Sequence, residues 1–465
     1  MTPDLTTQLT THLTGARWFG GKGRPLAVAG TRRLGTLGPA RPTTEQPSLV
    51  LELVTVEYAD AAGGTEYYQV PLSCYAGPVE VLEHALIGVA DDPDLGSVHA
   101  YDAVHDRLAM AYLLEAFDRP PSSGPLRFER LPGHELDLTT HSSLFTGEQS
   151  NSSVAFGEDA LLKMFRKITP GRNPDITVHD VLTRAGSDHV AELYGWLESD
   201  SLVEGEVLQL AMLQQFLRTA SDGWELALSS VRNLFAEADL HADEVGGDFA
   251  GEAARLGVAL RETHDTLAAN FPTRTRSRTE QAEVAAGMRA RLDAAVEVVP
   301  ELADHAGRVR KVFEATADLD GVPVQQIHAD LHLGQTLRTV KGWKIVDFEG
   351  EPARPLAERQ LPDTPWRDVA GMLRSFDYAP RVVEQTFDDA DPSAGEQRAY
   401  RAAEWSKRNR SAFLDAYADR PLTEDENLLL AAYVADKAVY ETVYEARNRP
   451  TWVSIPLDAI SRVRP

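Results

Sequence analysis

The chain has 465 residues, 43% of them apolar, with 46 basic against 71 acidic residues and a formal charge of −25. Single hydrophobic cores rarely grow past about 250–300 residues, so two or three structural units are expected. The acidity excludes nucleic acid and anionic membrane as main partners, since both need a basic footprint. Cys74, the single cysteine, excludes an intrachain disulfide and any multi-cysteine zinc site.

The chain opens on "MTPDLTTQLTTHLTGARWFGGKGR", which lacks the apolar centre of a signal peptide. No stretch approaches the ~18 apolar residues of a membrane helix. A cytoplasmic, soluble protein is the expectation. "GARWFGGKGR" superficially suggests a phosphate-binding loop, but Lys22 comes one residue late and is followed by Gly23, not Ser or Thr. A glycine-rich turn is the better reading.

Residues 1–90 read as a β-rich unit, with two strands about Gly63-Gly64 in "SLVLELVTVEYADAAGGTEYYQVPLSCY". From 91 to 215 the pattern is mixed. "AYDAVHDRLAMAYLLEAF" has helical apolar spacing, "SSVAFGEDALLKMFRK" reads as two strands about the turn at 157–159, and "LQLAMLQQFL" as a buried strand. Residues 216–465 read mostly as helices ending before prolines, with a short β insert at 324–349.

That insert carries "QIHADLHLGQTLRTVKGWKIVDFEGEP". The string His328-x-Asp330-x-His332 could bind a divalent metal if extended, although zinc needs further ligands. The spacing favours phosphoryl transfer. Gln335 lies five positions after Asp330, as the magnesium-binding amide follows the catalytic aspartate of kinase loops. Asp347 follows the apolar run "WKIV", where a second magnesium-binding carboxylate would stand. A kinase also needs a strand-borne lysine for the phosphates, and Lys163 in "ALLKMF" qualifies. Ser150, Asn151, Ser152 and Ser153, in a 148–153 hairpin before that strand, could donate hydrogen bonds to phosphate.

Together "GEQSNSSV", "LLKMFR", "GRNPDI", "DFAGEAARLG", "HADLHLGQTLRT", "VDFEGEPARPLAER", "DVAGMLRSFDYA" and "DKAVYETVYEARNRPTW" resemble the actinobacterial maltokinase family, among the aminoglycoside-phosphotransferase-like kinases. "ARWFGGKGR" extends the likeness to nearly the whole chain. The resemblance implies an α+β, bilobal protein-kinase-like fold. A cap subdomain would occupy 1–90, an N-lobe 91–215 and a helical C-lobe 216–465. It implies ATP and Mg²⁺ as cofactors, Asp330 as catalytic base, Gln335 and Asp347 as magnesium ligands, and Lys163 as the phosphate-binding lysine. It makes residues 210–216, with Gln214 and Gln215, the hinge that meets adenine.

The chain departs from the family at three places. Thr177 stands where a glutamate should pair with the lysine, leaving Asp175 or Asp180 as substitutes. The loop reads His-Ala-Asp where His-Gly-Asp is usual, and Trp366 replaces a smaller apolar residue. One branch resembles glucosamine kinases, whose cationic amino sugar calls for carboxylates. Sugar-site candidates are Asp330 and Asp368 at the loop, and Glu404, Trp405, Arg408 and Asn409 on one helix. Asp436, Tyr440, Glu441 and Tyr444 are candidates on another. The expected reaction is glucosamine to glucosamine 6-phosphate, with maltose to maltose 1-phosphate as the alternative. A metal-dependent hydrolase and a silent nucleotide-binding protein stand further off. A monomer or homodimer acting on a small-molecule sugar is expected.

Overall fold

The computed structural model describes residues 5–60, 63–145, 150–200, 206–237, 240–351, 354–387 and 392–463. The chain divides into two compact units, Met1–Asp180 with Ala191–Arg218, and Val181–Val190 with Thr219–Pro465.

The first unit opens with α1 (Leu5–Gly15), then β1 (Leu26–Leu37), β2 (Ser48–Tyr58), β3 (Thr65–Tyr75), β4 (Leu86–Asp92) and β5 (Gly96–Asp102). These strands pair antiparallel in the order β1-β2-β3-β5-β4. The expected pair about Gly63-Gly64 is β2 and β3, and both glycines have positive φ, 57° and 102°. Almost all of β2 is buried, which suits its run of Leu and Val. Gly21, in the glycine-rich turn, packs against the Tyr58 ring, and a Cβ there would lie 2.2 Å from Tyr58 Oη. Residue 90 falls inside β4, so the sheet runs beyond the expected edge of the cap.

Next come α2 (Arg107–Asp118), β6 (Leu126–Arg130), β7 (Ser142–Phe145), β8 (Asn151–Phe156), β9 (Ala160–Phe165), β10 (Lys167–Ile168), α3 (Pro174–Arg184), β11 (Leu193–Asp200) and β12 (Val207–Gln215). The predicted helix from Ala100 starts later: Ala100–Asp102 ends β5, and α2 begins after Asp106, whose carboxylate accepts the Leu108 N–H at 2.9 Å. A second sheet has the order β6-β11-β12-β9-β8-β7, and β10 joins β3 of the first. The sheets are tied by Gln69, whose side chain donates to Phe165 O and Leu210 O at 3.3 and 3.2 Å.

The second unit contains β13 (Ser221–Asp222), α4 (Gly223–Ala236), α5 (Ala250–Asn270), β14 (Arg274–Arg276), α6 (Arg278–Val298), α7 (Ala303–Thr316), β15 (Val322–Val324), β16 (Thr336–Thr339) and β17 (Gly342–Ile345). After these come α8 (Leu356–Arg359), α9 (Trp366–Glu384), α10 (Pro392–Ala418), α11 (Glu424–Asn448) and α12 (Ser454–Ser461). The predicted break at Pro300 separates α6 from α7, and the predicted β insert is β15–β17. Helix α11 starts in a capping box between Thr423 and Glu426. Trp343, Trp405, Phe376 and Phe413 are among the buried side chains of this unit. Among the described residues no helix is long and apolar enough to cross a membrane.

Candidate active site

In the second unit, the loop between β15 and β16 is fixed by α9. Asp368, in the first turn of α9, is fully buried and accepts the N–H of His328 at 2.7 Å and of Ala329 at 2.8 Å. His264 Nε2 lies 3.1 Å from the same carboxylate. Burial alone would raise the Asp368 carboxyl, but the bonds from His264 and the His328 N–H outweigh it and hold it below the usual carboxylate range. This is a correction to the sequence reading: Asp368 grips the loop backbone and does not line the cavity onto which Asp330 opens.

His328 joins this loop to the next. Its Nε2 donates to Val346 O at 2.9 Å, and its Nδ1 accepts the Asp330 N–H at 3.3 Å. Both ring nitrogens are thus engaged, which removes His328 from any metal site. His332 caps the following turn through Nδ1, 3.1 Å from Gly334 N. Ala329 has φ 70°, in the region that favours glycine, and its N–H bond to Asp368 holds it there. The His-Ala-Asp departure therefore falls on a residue under backbone strain. Gly371 of α9 allows close packing, since a Cβ there would lie 2.4 Å from Leu331 O.

Asp330, so held, opens onto a cavity of about 730 Å³. Of the expected sugar residues, Asp330, Asp436 and Tyr440 line it. Lys437, missed in the sequence, places its Nζ 3.1 Å from Asp330 Oδ1. Burial would lower the Lys437 ammonium, but Asp330 and Glu441 outweigh that and hold it above the ordinary lysine value. Arginines, also missed, engage most other acids of the cavity. Arg291 grips Asp436 at 2.9 and 2.7 Å, and Arg367 bridges Glu351 and Asp363 at 3.1 and 3.3 Å. Glu283 and Glu358 also line the cavity as exposed carboxylates, with no cation partner among the described residues.

The remaining candidates lie elsewhere. Trp405 is 1% exposed and donates to Ser230 Oγ at 3.0 Å, and buried Asn409 donates to Trp405 O. Glu404 meets His241 at 2.9 Å, and Arg408 pairs with Asp248 at 2.7 Å. Glu441 is held by Arg374 at 2.7 and 2.9 Å. Tyr444 stacks on Tyr440 at 6.5 Å without lining the cavity. Helical spacing told which of these share a face, but not which face meets the cavity.

Gln335 and Asp347 do come together: the Gln335 amide Nε2 donates to Asp347 Oδ2 at 3.0 Å. Asp347 follows β17 with φ 67°. A carboxylate touching a side-chain amide, both bearing oxygen donors, fits a hard cation such as Mg²⁺.

In the first unit Lys163 lies on β9, opposite Ser153 of β8 and Met212 of β12. Its Nζ is 2.8 Å from Asp175 Oδ2. Asp175 therefore supplies the acidic partner, one of the two substitutes expected. Thr177 instead bonds to Asn173 O at 3.0 Å. Burial would raise the Asp175 carboxyl, yet Lys163 and His179 press it far below the usual range.

The serines divide. Ser150 is exposed just before β8, while Asn151, Ser152 and Ser153 are buried within it. The Ser152 hydroxyl accepts from Arg166 Nε at 2.8 Å, and Arg166 also pairs with Asp102 at 2.9 Å. Ser152 and Ser153 are thus strand residues turned into the unit, a correction to their reading as phosphate donors. The preceding part of that hairpin, 148–149, lies outside the described residues. Residues 210–215 belong to β12, with Gln214 and Gln215 at its end. The Gln215 N–H donates to Glu192 O at 2.8 Å.

Comparison with known proteins bears on the fold and the family. The maltokinase N-terminal cap domain matches residues 12–106. A glucosamine kinase of Streptacidiphilus jiangxiensis is 32% identical over 345 residues, covering 69% of this chain and 74% of that protein. One from Mycolicibacterium smegmatis is 27% identical, covering 67% and 76%. A solved glucosamine kinase in complex with glucosamine, ADP and inorganic phosphate superimposes with a TM-score of 0.69 at 25% identity, covering all of both chains. A second glucosamine kinase structure gives a TM-score of 0.70 at 24% identity over 99% of each chain, a likeness of fold. The expected kinase-like α+β fold is thereby established, and the chain belongs to the glucosamine kinase family.

Proposed function

We propose that this protein transfers the terminal phosphoryl group of ATP to the 6-hydroxyl of glucosamine, with Mg²⁺ as cofactor. Asp330 orients the acceptor hydroxyl and takes its proton. Lys163, held in place by Asp175, binds the nucleotide phosphates, with Ser150 and Asn151 as nearby donors. Gln335 and Asp347 hold the magnesium ion, which when bound neutralises charge on the phosphate oxygens. Catalysis is mainly positioning and electrostatic stabilisation.

One observation carries the reading: in a member of this family, Asp330 is fixed at a cavity whose carboxylates Glu283 and Glu358 have no cation of their own among the described residues. Glucosamine carries an ammonium that such groups attract, whereas maltose is neutral. The match to the maltokinase cap keeps maltose as the second reading. ADP release over glucosamine, glucose, maltose and N-acetylglucosamine decides between them. Glucosamine should give the highest kcat/KM, and a preference for maltose would overturn the assignment.

A further inference from the structure

Helices α9 and α11 also border a second cavity. With Arg367 and Gly371 of α9, and Tyr433 and Lys437 of α11, they face the Asp330 cavity. With Leu373 and Asp377, and Leu430 and Val434, they line a separate one of about 590 Å³, shared with α10 and α12.

Its lining is mainly apolar, including Leu373, Leu414, Leu430, Val434 and Val463. Its charged residues are Lys407, Arg410, Arg462 and one acid, Asp377. Asp377 is already held, by Arg374 at 2.9 Å and Arg410 at 2.6 Å. Neither Lys407 nor Arg462 has a carboxylate partner among the described residues, and both are exposed. In a chain of charge −25 a cavity with surplus positive charge stands out against the rest of the surface. Apolar walls with cations attached suit an anion that has an apolar body.

This cavity is joined to Asp330 by charges of alternating sign. Asp330 meets Lys437 at 3.1 Å, and Glu441 follows Lys437 one turn along α11. Glu441 meets Arg374 at 2.7 Å, Arg374 meets Asp377 at 2.9 Å, and Asp377 meets Arg410 at 2.6 Å.

We propose that the second cavity binds an organic carboxylate with an apolar body, and that its occupancy is felt at Asp330 through this ion chain. The sign follows from competition for each shared partner. A bound carboxylate draws Arg410 from Asp377, and Asp377 leans on Arg374. Arg374 then holds Glu441 less, Glu441 attracts Lys437 more, and Asp330 is released toward the acceptor hydroxyl. The ligand is therefore an activator. Only this last step rests on the glucosamine kinase reading.

The test is calorimetric titration of the full chain with sodium octanoate, beside octylamine. Octanoate should bind saturably at one site and octylamine should not. The Lys407→Ala, Arg462→Ala double variant should bind octanoate about tenfold or more weakly, the loss of roughly one charge-assisted contact. No saturable octanoate heat, equal binding of octylamine, or unchanged affinity in the variant would each overturn the site. Saturating octanoate should also raise ADP release severalfold at subsaturating glucosamine, and binding with an unchanged rate overturns the coupling. Absence of glucosamine turnover without octanoate speaks against the proposed activity, and the titration still decides the cavity.

Discussion

Each unit of this protein holds a lysine against an aspartate, and the two pairs are built to opposite ends. Lys163 and Asp175, at 2.8 Å, have side chains only 8% and 2% exposed. Lys437 and Asp330, at 3.1 Å, are 29% and 21% exposed and face a cavity. In the first pair the lysine is the proposed working group, and a buried aspartate keeps it aimed. In the second the aspartate is the proposed working group, and the lysine is its cavity-facing partner. Burial separates the roles. Breaking the fully buried pair leaves a charge out of reach of water, whereas the half-buried pair faces a cavity that water can enter.

Substitutions can break or sharpen that contrast. The largest effect is expected from Asp330→Asn, which should lower glucosamine-dependent ADP release by about 10²–10⁴-fold while leaving the unfolding midpoint near wild type. Wild-type turnover would remove Asp330 from its role. Lys163→Met should cost about 1–3 kcal/mol in urea unfolding, since buried Asp175 loses its ammonium while its His179 contact at 3.1 Å remains, beyond any loss of ATP use. If it unfolds like wild type, the two pairs are not different in kind.

Gly371→Ala should cost about 1–3 kcal/mol by forcing α9 from the loop carbonyl, with activity falling as Asp330 shifts. Lys437→Met should leave stability within about 1 kcal/mol and, by freeing Asp330 from its cation, should raise ADP release at subsaturating glucosamine severalfold. A stability loss as large as that of Lys163→Met would erase the distinction drawn here. The smallest effect is expected from Ala329→Gly, which relieves the left-handed strain and should stabilise by up to about 1 kcal/mol. A lower denaturation midpoint would show that the methyl packs usefully.

Lys163 could be read from sequence because a charge inside an apolar strand run has few uses. Lys437 could not, since it sits on a helix rich in charges and aromatics where nothing local tells which face is covered. One signal was available: Lys437 lies three and four residues before Tyr440 and Glu441, within reach of both. Asp368 was placed near the right loop but in the wrong role. Its proximity was legible, while the two backbone N–H groups it accepts come from a segment forty positions earlier. Trp405 and Asn409 share a face as expected, but that face turns into the core of the unit.

The sequence by itself located the β2–β3 and β8–β9 pairs and the long helices of the second unit, and singled out Asp330, Gln335, Asp347 and the strand lysine as candidates. These rest on local spacing, which backbone geometry turns directly into position. Only the tertiary structure decided that Asp175 pairs with Lys163, that Lys437 and the arginines line the Asp330 cavity, and that Asp368 grips the loop. Those choices depend on which faces pack together over long separations. Side-chain chemistry permits many such partners, and the fold selects among them.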